Sequence, residues 1–318
     1  MSQIEITVLK QGTPSRKVIT CCLFTSGDAY RNFSQYIGNF RRFLKQTEHL
    51  KTFEVRVYTD DTGKDILLEE TKDIPRITVL HFNCPQFREG KGHVGMFGAL
   101  VRLLPIFEDL DLVWSSDIDI PDRWLDTNYI SMLEKHKCDF LLCTLICYDE
   151  KIVWAKKHSI LAGRLITKIQ FPRALLTRFL NMHTEGKLDD IIEKINNQND
   201  EKKKKGFKPS RFPYGMDEVF LNFPVYNWLK RHEIRILVET DYFIRGFAFR
   251  YNDDEAKKLT ETYYWNPTYA KFLRLKEMYK KYLPMDLERH RCYKEFLDLL
   301  PTFKNNFLKH KVISGSEL

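Results

Sequence analysis

The 318-residue chain has no apolar run of the roughly 18 to 20 residues that a membrane-spanning helix needs. Its first residues, MSQIEITVLKQGTPSRKV, lack the unbroken apolar core of a secretory signal. There is no C-x-x-C pair, no G-x-x-x-x-G-K-[ST] phosphate loop and no internal repeat. These absences argue against a membrane span, a thiolate zinc module, a P-loop nucleotidase and a solenoid. The expectation is a soluble, cytoplasmic chain. Its seven cysteines are odd in number, and most sit in apolar runs such as VITCCLF and CDFLLCTLIC, which suits reduced, packed thiols.

The 43% hydrophobic and 14% aromatic content can fill a sizeable core, and 30% charged residues is ordinary for a folded chain. The net charge of +8 is uneven. Residues 256–318 carry 13 Lys/Arg against 7 Asp/Glu. Such a segment reads first as a solvated helical face and second as a weak contact for an anionic surface.

Short apolar runs alternate with helical patterns in the first half, the signature of an α/β sheet. Strands are expected at 18–24, 53–58, 77–82, from 112 into SSDIDIP, at 138–146 and at 234–238. Tyr30, Phe33, Ile37, Phe40 and Leu44 make one helical stripe, and 94–107 and 216–229 read as further helices. Two more helical patterns lie in 170–195, followed by a polar surface loop at 196–211. The expected organisation is a nucleotide-binding α/β domain over 1–240 with a helical extension, 241–318, on the same core.

The segment that carries chemistry is LVWSSDIDIP, residues 112–121. With 22 aspartates, about one or two Asp-x-Asp matches arise by chance. Two occur, Asp109/Asp111 and Asp117/Asp119. Only the second pair stands where a strand ends, and ligands of open α/β sheets bind outside the carboxyl ends of strands. Residues two apart in extended chain face the same way, so Asp117 and Asp119 point together. They repel each other, and no Lys or Arg stands within three residues of both. A hard divalent cation with oxygen ligands would relieve that repulsion.

VWSSDIDIP, preceded by Arg102 in ALVRLLPIFEDLD, resembles the Asp-x-Asp region of GT-A glycosyltransferases. The resemblance runs over about residues 18–238. It implies a Rossmann-like mixed sheet flanked by helices, a nucleotide-sugar donor (a UDP-sugar most commonly) and a glycan or other hydroxyl acceptor. It also implies Mn²⁺ or Mg²⁺ as cofactor. By the same resemblance Asp119 binds the metal directly, Asp117 contacts it or the ribose with Ser116 alongside, and Asp241 supplies a third ligand. Thr25, Ser26, Gly27 and Asp28 line the nucleotide together with Asp60, and Arg102 holds the donor. Asp28 also reads as a helix cap, Asp60 as a turn residue and Arg102 as a snorkelling side chain. Lys91, in EGKGHVG at the expected start of the 94–107 helix, is a candidate phosphate contact. Asp217 and Glu218, in FPYGMDEVFLN, resemble a family element facing the sugar. Adjacent on a helix, they point about 100° apart, so one faces the site, and Asp217 is favoured as base or donor-orienting group. Gly163, in AGR, would let a sugar approach the backbone. Tyr263, Tyr264 and Trp265 are packing aromatics or an acceptor platform.

Two other classes compete. A sugar-1-phosphate nucleotidyltransferase would show a Gly-rich, Arg-containing loop after the first strand, and LFTSGDAYRN has none. A nucleic-acid-binding protein using the basic C-terminal segment would show a recognisable module, and none is present, so no nucleic-acid partner is expected. A degenerate transferase that binds carbohydrate without turnover is disfavoured by the intact Asp117 and Asp119.

Overall fold

Alternating short apolar runs build the strands β1 (Glu5–Lys10), β2 (Lys17–Cys22), β3 (Glu54–Thr59), β4 (Ile77–Asn83), β5 (Arg88–Glu89), β6 (Gly92–His93), β7 (Leu112–Ser116), β8 (Phe140–Cys143), β9 (Arg164–Thr167), β10 (Arg235–Glu239) and β11 (Lys311–Ser314). The computed structural model describes residues 4–25, 33–119, 124–143, 160–197, 209–239 and 311–317. Nine strands form one sheet in the order β1-β4-β3-β2-β7-β9-β8-β10-β11, while β5 and β6 make a separate hairpin. The pairings β2·β3, β3·β4, β2·β7 and β8·β10 are parallel, and β1, β9 and β11 pair antiparallel to their neighbours. The architecture is a mixed α/β sheet flanked by helices, consistent with a Rossmann-like fold.

Side-chain alternation sorts the strand residues onto two faces. On one face Ile19, Val57 and Trp114 pack with Phe40 and Phe43 of α1 (Phe33–Gln46), Leu67 of α2 (Lys64–Thr71) and Leu133 of the helix α4 (Asn128–Lys135). On the other, Cys22, Phe82 and Val113 pack with Leu100 of α3 (Phe97–Val101), Leu180 of α5 (Ala174–Thr184), Ile195 of α6 (Asp189–Asn197) and Val219. Burying each such large side chain contributes about 1.5–3 kcal/mol.

From β2 the chain steps outward through β3 to β4, then returns to place β7 on the other side of β2. The connections therefore leave in opposite directions at the β2–β7 boundary, the switch point at which open sheets present a crevice. Antiparallel β9 starts beside the end of β7, with Arg164 opposite Ser116. The helix that carries Asp217 runs Met216–Phe220, opens into a π-helical turn at Leu221–Val225 and resumes as Tyr226–Arg231. Pro224 lies in the wide turn, where the missing N–H of proline does least damage.

Several expectations change. The helix expected over 94–107 is the short α3 followed by a 3-10 turn at Leu104–Phe107, with Pro105 near the start of that turn. Proline clashes with the preceding helical turn, so the long helix breaks there. The segment around Lys91 is the tip of the β5–β6 hairpin and does not begin a helix. Strands β1, β9 and β11 were not foreseen. The last of these pairs with β10, so part of the expected helical extension belongs to the sheet. Residues 241–310 otherwise lie outside the described residues. Among the described residues, no helix is long and apolar enough to cross a membrane.

Candidate functional site

Buried β7 delivers Asp117 at the carboxyl edge of the sheet, next to the switch point. Asp117 and Asp119 are half-buried, while Ile118 between them is in the core. The strand ends at Ser116 and residues 118–119 form a turn, so this burial pattern comes from a turn rather than from the extended chain expected.

The corner is organised by Arg102. It caps the C-terminus of α3 and is 4% exposed, so it does not reach out to solvent. One Nη donates to Asp117 Oδ1, and Nη2 donates to Asp217 Oδ2 at 2.9 Å. The cation that no near neighbour in sequence supplies comes from fifteen residues upstream, so Arg102, expected to hold the donor or to snorkel, is instead paired with Asp117. Burial alone would lower the Arg102 pKa, but the Asp117 carboxylate, then Cys22 and Asp217, hold it well above its ordinary value. Among the described residues Arg102 Nε is buried without a hydrogen-bond partner, and the two carboxylates orient the guanidinium through its Nη atoms.

Asp217 enters from the N-terminal turn of its helix. Gly215 caps that helix with φ +96°, a left-handed conformation that favours glycine. Asp217 Oδ1 accepts the Glu218 backbone N–H at 3.0 Å. Burial pushes the Asp217 carboxyl upward, Arg102 pulls it down and Asp117 adds to the rise; the net direction is up. Glu218, the next residue on the helix, is half-exposed and acts with Asp117, Asp217 and Asp119 on the neighbouring Tyr214.

Tyr214 was not singled out by the sequence reading, although it lies inside FPYGMDE. Burial holds its phenol protonated far above the usual range, and Glu218, Asp117, Asp217 and Asp119 reinforce that, in falling order. All four carboxylates thus act on one hydroxyl. The signal was its place between the proline and the glycine of a motif already marked as functional.

Gly163 faces Asp117. A Cβ on this residue would collide with the Asp117 carboxylate, so the position requires glycine because of close approach. Its segment is tied on both sides. Ser115 Oγ donates to the Ala162 carbonyl at 2.6 Å. Asn222 Oδ1 accepts the Ile160 N–H at 2.8 Å, and its Nδ2 donates to the Ile160 and Glu218 carbonyls, each at 2.9 Å. Ser116 is buried and donates to the Asp117 carbonyl at 2.9 Å.

A second group of expected residues gathers at the ends of β2 and β3. Asp60 is fully buried; Oδ1 accepts from the Thr62 hydroxyl and from the Thr62 N–H at 3.0 Å. His93 Nε2 accepts the Cys84 N–H at 3.0 Å, which leaves Nδ1 as the protonated nitrogen, donating to Asp60 Oδ2 at 3.1 Å. The Thr25 N–H donates to Thr62 Oγ1 at 3.0 Å. Asp60 is thereby a buried anchor that fastens the ends of β2, β3 and β4 to the β5–β6 hairpin. His93 and Thr62 were missed because neither has a spacing signature; only the fold brings them to Asp60. Lys91 is exposed at the hairpin tip.

Ser26, Gly27, Asp28, Asp241 and the aromatic trio Tyr263, Tyr264 and Trp265 lie outside the described residues. Among the described residues, no set of three or more His, Cys, Asp or Glu groups is arranged to hold a metal ion. Arg102, Asp117, Asp217 and Gly163 are brought together; Asp60 and Thr25 form a separate buried network. No protein-family model matches the chain, and no curated protein matches it.

Proposed function

We propose that the chain is a metal-dependent glycosyltransferase, moving a sugar from a nucleotide-diphosphate sugar, a UDP-sugar by first preference, to a glycan or other hydroxyl acceptor. One observation carries this reading. Arg102, Asp117, Gly163 and Asp217, drawn from four distant stretches of sequence, meet at the carboxyl edge of the sheet by its switch point. That corner combines surplus negative charge with one buried cation.

Asp119, with Asp117 beside it, would hold Mn²⁺ or Mg²⁺. Two carboxylates fit an ion that takes its remaining ligands from phosphate and water. Bound there, the ion would supply neutralisation of the charge that builds on a departing diphosphate. The chain's own groups do the rest. Arg102 sets the direction of the Asp117 carboxylate, and Asp217 fixes Arg102 from the other side. Glu218, half-exposed at the same helix start, is the carboxylate proposed to accept the acceptor's proton. Tyr214 keeps its proton and so stays a hydrogen-bond donor among the acids.

The test is a thermal melt with and without Mn²⁺ plus UDP. Saturating ligand is expected to raise the Tm by roughly 3–6 °C, and Asp119→Ala to remove the rise. An equal rise in the variant would eliminate the metal role. No response to Mn²⁺ with UDP or GDP, together with no hydrolysis of any nucleotide sugar, would eliminate the transferase reading.

A further inference from the structure

We infer that Asn222 is a positioning residue for the proposed transfer: its side-chain amide sets the gap between the helix bearing Asp217 and Glu218 and the strand leader bearing Gly163. The inference rests on the transferase reading and goes beyond it by assigning a role to a residue that has none in that reading.

Asn222 is fully buried, where an amide is costly unless every donor and acceptor is used. Its oxygen and nitrogen grip the N–H and the carbonyl of Ile160 as a neighbouring strand would, at 2.8 and 2.9 Å. The same nitrogen donates to the Glu218 carbonyl one helical turn back, at 2.9 Å. One side chain therefore joins Ile160, three residues before Gly163, to the backbone of Glu218. Ser115 adds a second tether, from the residue two before Asp117 to Ala162, at 2.6 Å. Gly163 in turn lies against the Asp117 carboxylate, and Asp117 shares Arg102 with Asp217. The links close a ring: Asn222, Ile160, Gly163, Asp117, Arg102, Asp217 and back along one helix to Asn222. Asp117 and Asp217 are held by ions that can redistribute when a charged ligand binds. Asn222 fixes the opposite side of the ring with neutral bonds to backbone, which do not redistribute.

A ring of this kind governs the separation between the donor side and the acceptor side. Its loss should lower turnover and leave donor binding largely intact, since Asn222 bonds the backbone of Ile160 and Glu218 rather than the carboxylates proposed to hold the metal. The experiment compares wild type, Asn222→Ala, Asn222→Asp and the milder Ser115→Ala by steady-state nucleotide-sugar hydrolysis with Mn²⁺. Hydrogen–deuterium exchange over residues 160–164 is measured in parallel. Expected for Asn222→Ala is a fall in kcat of about a hundredfold with donor KM changed less than about threefold, and faster exchange confined to 160–164. Asn222→Asp, which sets a carboxylate oxygen against the Ile160 and Glu218 carbonyls, should lose at least as much as Asn222→Ala, and Ser115→Ala should show a smaller fall of the same kind. Should the Asn222 variants prove insoluble, Ser115→Ala carries the comparison. Wild-type turnover with unchanged kcat in the variants, or a loss lying wholly in KM, overturns the positioning role alone. Absence of wild-type turnover on every nucleotide sugar overturns the transferase reading and this role with it, even where exchange at 160–164 shows the tether to be real.

Discussion

Two Asp-x-Asp triplets bracket β7, and they have opposite environments. Asp109 and Asp111, before the strand, both bond Arg16, at 3.1 and 2.7 Å, with side chains 82% and 53% exposed. Asp117, after the strand, bonds an arginine whose side chain is 5% exposed and which also holds a buried aspartate. Motif and counter-ion type are the same on both sides. What differs is dielectric surroundings. Water screens the first group to near indifference, whereas Arg102 and Asp217 in the second have almost no water to replace a lost partner, although the Asp117 side chain itself is 37% exposed.

The largest expected effect breaks the buried side of that comparison. Arg102→Met leaves Asp117 and Asp217 facing each other uncompensated and is expected to cost about 3–5 kcal/mol in urea unfolding. A loss below about 1 kcal/mol would mean that the pair does not depend on Arg102. Gly163→Ala forces a methyl group into the Asp117 carboxylate. It should cost about 1–3 kcal/mol and abolish the Mn²⁺–UDP melting shift. Full retention of both would show that the strand leader gives way easily. His183 sharpens the comparison through pH. Burial lowers its pKa, and its Nε2 donates to the Arg211 carbonyl at 2.6 Å. The folded state then binds fewer protons than the unfolded chain, so stability should be complete near neutrality and decline as pH falls below about 6.5. His183→Gln should flatten that limb, and an unaltered slope would assign it to other groups. The smallest effect belongs to the exposed triplet: Arg16→Ala should leave the urea midpoint within experimental error of wild type, with no change in nucleotide response, and a clear drop in midpoint would show that the exposed triplet is structural too.

The sheet centre was legible because β2, β3, β4 and β7 are dense apolar runs bounded by turns. The edge strand β1 was not, since its residues stay largely exposed, with Ile6 at 39% and Val8 at 50%. Without a buried face, the alternation has no core to report. Four-residue β9 was too short to stand out beside its glycine. At the site, Asp117, Arg102, Gly163 and Asp217 could be named individually from type and order, but their mutual contacts could not. Arg102 was sought as a ligand-holding group on a helix surface; Pro105 ends that helix early, and the arginine turns inward. Asn222 was visible as a letter in a motif, yet its partner at Ile160 lies 62 residues away, beyond any local pattern.

The wide turn at Leu221–Val225 has a consequence for how this sequence tolerates length changes. A π turn accommodates one residue more than an α turn, and each α-helical residue advances the azimuth by about 100°. Removing a single residue there could leave an unbroken helix of ordinary pitch, with every other local preference satisfied. The shorter turn would rotate the chain by about as much as the wide turn does now, so the acidic start would keep nearly its present bearing on the stripe formed by Val225 and Leu229. Deleting Pro224 alone should therefore be tolerated better than deleting a residue elsewhere in the same helix, where the same loss rotates one face against the other.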